Sequence, residues 1–272
     1  MTLSPSGPPP TALTIAGSDS GGGAGVQADL KTFLSCHVHG MSAITAVTVQ
    51  NSLGVTGFYE LPPYAVAEQI ESVASDIGIG AAKTGMLASA AIIEAVAVTV
   101  RRLDIAPFVV DPVAASQHGD PLLRPDALDA LRELILPLAT LVTPNLGEVR
   151  LLTGIEVRTR SDMDDAARAL HALGPQWVLV KGGHLPDADA VDVLFDGTSF
   201  VELTAPRRTT DHTHGSGDTL AAAITAGLAR GLDMTAAVRL GKRFITGAVD
   251  GSFPLGSGLG PVGHFWRIRD WP

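Results

Sequence analysis

Seven consecutive residues, His212-Thr213-His214-Gly215-Ser216-Gly217-Asp218, carry the densest chemical signal in this 272-residue chain. They run into TLAAAITAGLARG, where Leu220, Ile224 and Leu228 recur at helical spacing, so a helix begins near Gly217. The small residues Gly215, Ser216 and Gly217 before a helix N-terminus leave backbone N–H groups free to face an anion. The helix dipole adds partial positive charge at the same point. Asp218 has two readings there. It complements the dipole, or it is a base beside an anion hole. A base would take a proton from an alcohol while the N–H groups hold charge developing on a transferring group.

Further polar residues sit where strands should end. Asn145-x-x-Glu148 follows an apolar run and Pro144. Asn and Glu three apart at a helix start face one side; they serve as a cap, or as hard oxygen ligands for Mg²⁺ through water. Lys181 closes an apolar run before Gly182-Gly183, where it either snorkels or contacts polyphosphate oxygens. Asp111 ends PFVVDP in an equivalent place. A second glycine cluster, 21–25, follows the first apolar run, with Asp19 and Asp29 on either side. Gly23-x-Gly25-x-x-Ala28 matches a dinucleotide fingerprint, but no Asp or Glu occurs between Asp29 and Glu60 to hold a ribose. A tight turn, or a loop letting a substrate approach the backbone, are the other readings. A Walker A loop is absent, and GSDSG (17–21) has Asp19 where a nucleophile elbow needs serine.

The elements that must position these groups alternate between apolar strand patterns and helical ones. Strands are expected at 12–17, 42–50, 81–87, 107–113, 140–145 and 176–183, and a hairpin over 190–206 turns at Asp196-Gly197. Helices are expected near 25–36, 62–78, 89–103, 125–137, 161–174, 217–230 and 233–249. Such alternation predicts a parallel sheet with helices on both faces and the site at the carboxyl ends of the strands. No Pro/Gly/Ser-rich linker divides the chain, so residues 1–10 read as a flexible tail and 11–272 as one domain.

Composition removes other classes. A net charge of −9 argues against a nucleic-acid or anionic-membrane surface. Residues 32–59 lack Asp, Glu, Lys and Arg, yet polar residues interrupt them throughout, so no membrane span is expected. One cysteine, Cys36, excludes a disulfide framework and points to a reducing, cytoplasmic setting. Cys36, His37 and His39 lie too close together to form a metal site.

GSGD before a helix, with N-x-x-E upstream, resembles the pattern of ribokinase-like sugar and vitamin kinases. Within them AGSDSGGGAGVQADLKTF, TAVTVQNSLGV, KTGML, TPNLGEVRLLTG, VKGGH and THGSGDTLAAAI resemble the hydroxymethylpyrimidine/phosphomethylpyrimidine kinases of thiamine biosynthesis, from about residue 11 to GPVGHF (260–265). The resemblance implies a ribokinase-like three-layer α/β/α sandwich with a mostly parallel central sheet, and two ATP-dependent phosphorylations of 4-amino-5-hydroxymethyl-2-methylpyrimidine, to monophosphate and then diphosphate. It implies that Gln50 pairs with the pyrimidine edge, with Gly17, Asp29, Thr48 and Met86 in the same pocket. Asp111, Asn145, Glu148, Lys181 and Thr213 would serve Mg²⁺ and ATP, and a homodimer is what the family implies.

Two departures stand out. Many members carry cysteine where this chain has Asp218, the residue that sugar kinases of the superfamily use. A lysine common in the family near Gln117, in VAASQHGDPLL (113–123), is absent. Relatives with this pattern that phosphorylate pyridoxine or pyridoxal supply an alternative substrate. A binding protein without catalysis is a further alternative, against which Asp218, Gly215 and Gly217 speak.

Overall fold

The computed structural model describes residues 7–114, 122–123, 126–183, 185 and 189–267. Among the described residues there are ten strands: β1 (Thr11–Ala16), β2 (His39–Ile44), β3 (Ala46–Asn51), β4 (Gly54–Glu60), β5 (Ala81–Thr84), β6 (Phe108–Val110), β7 (Leu141–Val142), β8 (Trp177–Lys181), β9 (Asp189–Phe195) and β10 (Phe200–Pro206). The helices are α1 (Gly25–Ser35), α2 (Pro63–Asp76), α3 (Ala90–Arg102), α4 (Ala127–Ala130), α5 (Leu146–Thr153), α6 (Arg160–His171), α7 (Ser216–Ala229) and α8 (Met234–Asp250). A wider turn over 131–135 and a tighter one over 136–138 continue α4 to Pro137 and Leu138.

Eight strands form one sheet in the order β10-β9-β8-β7-β6-β5-β1-β2. Strands β2 through β8 of that order pair in parallel, and β9 and β10 add an antiparallel hairpin. Successive residues point to opposite faces, so each strand feeds two cores. Phe108, Val110, Val142, Val178 and Val180 join the core under α2–α6, whereas Val109, Leu141 and Leu179 join the one under α7 and α8. The expected α/β/α sandwich is therefore present. Helix α7 is apolar on nearly every side because it lies between the sheet, α1 and α8. Small residues permit that approach: a Cβ on Gly227 would come within 3.1 Å of Ala237.

The segment 42–50 departs from its reading as one strand. Its first residues complete β2 in the main sheet. From Ala46 the chain leaves to form a two-stranded antiparallel ribbon with β4, an element the sequence reading did not include. Val47 and Val49 alternate outward while Ala46 and Thr48 are buried, so one face of β3 is in solvent. The uncharged stretch 32–59 is thus shared among α1, β2, β3 and β4. Among the described residues no helix is long and apolar enough to cross a membrane.

The α7 layer also buries titratable groups. Cys36 is fully enclosed, and burial pushes its thiol up to about 11. His264 lies 2.9 Å from the Thr219 hydroxyl, and burial, reinforced by Lys31, holds its imidazole down at about 4. The unfolded chain, with histidine near 6.5, binds a proton that the native state refuses. Stability is therefore expected to fall as pH drops from 6.5 toward 4, by up to about 3 kcal/mol from this group. Denaturant unfolding of the wild type and His264→Gln across pH 7–4 checks this. The variant should lose that component of the slope.

Candidate active site

The two glycine clusters meet. Gly215, at φ 77°, caps the N-terminus of α7, and a Cβ there would lie 1.9 Å from the Gly23 carbonyl oxygen. Gly23 in turn faces His214, and Gly25 lies against the Gly17 carbonyl. The 21–25 glycines were read as a tight turn, a cofactor loop or a place for substrate to approach the backbone. The tight turn is present, with Gly22 N–H donating to the Asp19 carbonyl at 2.9 Å, and Gly25 lines the adjoining cavity. Gly25 and Gly215 allow backbone to approach backbone, and Gly23 leaves room for the His214 and Pro261 side chains, which seats the start of α7 over the loop after β1. Among the described residues, no acceptor receives the N–H groups of Gly217 and Asp218. They open onto a cavity of about 400 Å³, the placement that binding an anion requires.

Strand ends supply charge beneath it. Lys181, ending β8, donates to Asp111 Oδ1 at 2.9 Å, and the Thr143 hydroxyl donates to the same oxygen at 3.0 Å. Lys181 is largely buried, which by itself would lower its pKa. Asp111 and Glu148 outweigh that and raise it, so the lysine stays charged. A Cβ on Gly217 would stand 3.3 Å from Lys181 Nζ, so the pair lies directly under the start of α7.

Asn145 and Glu148 form a capping box on α5: Glu148 N–H donates to Asn145 Oδ1 at 2.9 Å, and Asn145 N–H to Glu148 Oε2 at 2.7 Å. The cap reading is therefore realised. Burial pushes Glu148 up to about 7 against the pull of Lys181, with Asp111 adding to the rise. These oxygen donors and their surplus of carboxylate suit a hydrated Mg²⁺. With the carboxylate committed to N–H groups of Asn145 and Ala114, such an ion would be held through water. Among the described residues no three His, Cys, Asp or Glu cluster to hold a metal, the 36–39 segment included.

The other end of the cavity is built by β1, β3 and the loop after β5. Thr48 donates to the Ser18 carbonyl at 2.7 Å, and Ser20 accepts the Gln50 N–H at 2.9 Å, pinning the ribbon to the loop. The Gln50 amide lies 3.3 Å from His214 Nε2, and its oxygen lies 3.2 Å from the Thr48 hydroxyl. Gly17 faces the Met86 sulfur, which a Cβ would approach to 3.2 Å.

Gly17, Thr48, Gln50, Met86, Asp111, Asn145, Glu148, Lys181, Thr213, Gly215, Ser216, Gly217 and Asp218 all line this one cavity. Asp29 does not. It is fully buried beneath the cavity, where its carboxylate accepts from Lys83 at 2.8 and 2.9 Å and from Thr14 at 2.6 Å. Held by Lys83 and Thr14 inside the core, it is a supporting residue rather than a pocket wall. Asp19, read only as a flanking carboxylate, does line the cavity. Burial would raise its pKa, but His214 and the N–H groups of Ala24 and Gly21 outweigh it and hold it below the usual carboxylate range. The reading around Gln117 falls outside the described residues.

A second cavity, about 270 Å³, opens on the far side of the α7 start. It shares Asn145, Lys181, Thr213, Ser216 and Gly217 with the first, and continues between Ala205, Pro206, Leu220, Ile245 and Val249. Its apolar walls were not foreseen, because they come from β10, α7 and α8, distant in sequence. The two cavities meet at Ser216 and Gly217, at the start of α7.

Known proteins resemble this chain over nearly its full length. A family model described as phosphomethylpyrimidine kinase matches residues 19–263. The hydroxymethylpyrimidine/phosphomethylpyrimidine kinase of Mycobacterium tuberculosis is 56% identical over 271 residues, 98% of each chain. The Bacillus subtilis pyridoxal kinase, solved as an ADP complex, is 42% identical with a TM-score of 0.87, over 94% of this chain and 97% of that one. The Staphylococcus aureus pyridoxal kinase, solved with AMP-PCP and pyridoxal, is 36% identical with a TM-score of 0.88, over 97% and 96%.

Proposed function

This chain belongs to the phosphomethylpyrimidine kinase family, and from that premise we infer that it phosphorylates 4-amino-5-hydroxymethyl-2-methylpyrimidine with ATP, to the monophosphate and then the diphosphate, in thiamine biosynthesis. The observation that carries the residue roles is the meeting of two cavities at the start of α7. The pyrimidine occupies the Gln50, Thr48, Met86 and Gly17 end of the first, where a side-chain amide offers a donor and an acceptor to an aminopyrimidine. The nucleotide base lies in the second, with its phosphates crossing Lys181 and Thr213 toward Gly217.

In the first step Asp218 accepts the proton of the acceptor hydroxymethyl group. The new O–P bond forms as the bond from the γ-phosphorus to the ADP oxygen breaks. The N–H groups of Gly217 and Asp218 and the Lys181 ammonium hold the charge on the transferring group. In the second step the nucleophile is a phosphate oxygen that is already anionic, so Asp218 has no proton to remove. Mg²⁺, when bound, neutralises phosphate charge, and Glu148 and Asn145 would hold it through water, with Asp111 adjacent. One kinase domain over 11–272, a cytoplasmic location and a homodimer are proposed on the sequence reading and the family resemblance.

The pocket assignment predicts that Gln50→Ala raises KM for the hydroxymethylpyrimidine about ten- to a hundredfold while KM for ATP stays unchanged. Titration of the pyrimidine into the variant checks it, and undiminished binding would remove Gln50 from the pocket. The structural likeness to pyridoxal kinases favours a second substrate, pyridoxal. ATP-consumption assays with the two acceptors side by side separate them. The pyrimidine should give the higher kcat/KM.

A further inference from the structure

Lys83 is out of place by composition. It lies in β5, whose four residues are all buried, and it is itself fully enclosed. Taking an ammonium group out of water is costly, and apolar replacements for buried ion pairs are often neutral or stabilising. Packing alone therefore does not account for it. Neither Lys83 nor Asp29 lines either of the two cavities, so neither touches a substrate.

The surroundings of the ammonium are specific. On one side, Asp29 of α1 takes hydrogen bonds from it on both oxygens, at 2.8 and 2.9 Å, and Thr14 of β1 supports that carboxylate. On the other side stands Asp218 of α7, whose Oδ1 is 3.7 Å from Lys83 Nζ. Asp111, after β6, adds negative charge but is itself paired with Lys181. Gly85 borders both groups, 3.7 Å from each at its Cβ position, and its lack of a side chain makes room for Ala16, which a Cβ would approach to 2.9 Å.

We propose that Lys83, anchored on Asp29, is a positioning residue for the first phosphorylation, holding Asp218 ionised and its oxygens free to receive the acceptor's proton. The inference rests on the reading of Asp218 as the base. The two distances make the argument. At 2.8 Å the lysine is hydrogen-bonded to Asp29, which fixes it. At 3.7 Å it attracts Asp218 without occupying a lone pair. Without the cation, Asp29 and Asp218 would face each other as like charges with little water between them, which disfavours the ionised form of each. A protonated Asp218 accepts nothing. Burial already pushes Asp29 up to about 7, with Lys83 opposing and Asp218 adding to the rise. Lys83 itself is held charged, as Asp29 and Asp218 outweigh its burial.

The two steps of the reaction provide the test. The double variant Lys83→Met/Asp29→Asn removes cation and anchor together, leaving no unpaired charge in the core. The acid limb of its pH profile with the hydroxymethylpyrimidine should move up, so that kcat falls on the acid side of pH 7. With the monophosphate as acceptor, kcat should stay within about twofold and its profile should not move. Asp29→Asn alone leaves Asp218 as the carboxylate within 4 Å of Lys83 among the described residues, so the acid limb of the first step should move down. An unmoved acid limb in both variants, or an equal loss in both steps, overturns the role. Should the double variant fail to fold, an acid limb in Asp29→Asn that stays or moves up overturns it alone. If Asp218→Asn leaves the first step intact, the base reading itself fails. If Asp218→Asn abolishes that step while the Lys83 and Asp29 variants behave as wild type, only the positioning role fails.

Discussion

Asp218→Asn is expected to lower kcat for phosphorylation of the hydroxymethylpyrimidine about 10²- to 10⁴-fold, the range attached to a positioned general base. Phosphorylation of the monophosphate should fall by less than about tenfold. The amide has the shape of the carboxylate, so the cavity and the N–H groups of Gly217 and Asp218 remain in place. What is lost is the proton acceptor, together with the charge that faces Lys83 at 3.7 Å. The second step loses less because its nucleophile arrives ionised, and removing a carboxylate from its path eases the approach of a dianion. Steady-state ADP release, measured separately with each acceptor, decides it. An unchanged first step would contradict the base role, and a large equal loss in both steps would assign Asp218 to the phosphate cradle instead.

Gly215→Ala should damage both steps. The residue sits at φ 77°, which disfavours any side chain, and its Cβ would lie 1.9 Å from the Gly23 carbonyl oxygen and 2.9 Å from the Gly23 carbonyl carbon. Backbone on both sides must yield, so either the loop after β1 retreats or the start of α7 rotates. The expected loss of stability is about 2–4 kcal/mol. Because correctly aimed N–H donors are worth about 10²–10³ in kcat each, activity in both steps should fall by at least about 10²-fold. Gly57→Ala is the control: it has no positive φ, a Cβ there meets nothing within 4 Å, and neither stability nor rate should change appreciably. Thermal unfolding and the same two assays read all three variants. Normal kinetics in a folded Gly215→Ala protein would show that the cradle does not depend on the contact between the two glycine clusters.

The two variants separate what a single inactive mutant would confuse. Asp218 is chemistry used once, whereas Gly215 shapes a cradle used twice. The Lys83 pair underlies the first of these and not the second.

Much of this was legible in the chain. The start of α7 was readable from three small residues followed by Leu220, Ile224 and Leu228. The cap at Asn145 and Glu148 was readable from their spacing, and the hairpin turn from Asp196-Gly197, where Asp196 accepts N–H groups of Thr198 and Ser199. Each depends on residues within one or two turns of one another, so neighbouring identities decide it. The strand-end positions of Asp111 and Lys181 followed from apolar runs that stop at a charge, since a charge ends a run that is buried on both faces.

Other features depended on partners far away. The break after Ile44 was hidden because β2 and β3 share one β-rich composition, and only pairing with β4 pulls the second half out of the sheet. Asp19 and Asp29 flank the same glycine loop and look equivalent in sequence. Lys83, 54 positions beyond Asp29, takes one carboxylate into the core, while the N–H groups of Gly21, Gly23 and Ala24, together with His214, hold the other at the cavity wall. The amino-acid sequence by itself determined the local events: turns, helix starts, the alternation that makes a sheet, and the residues suited to phosphoryl transfer. The tertiary structure decided which of those residues face the cavity and which support it. The cost of burying a charge depends on every group around it, and those groups come from α1, β1, β5 and α7, which only folding brings together.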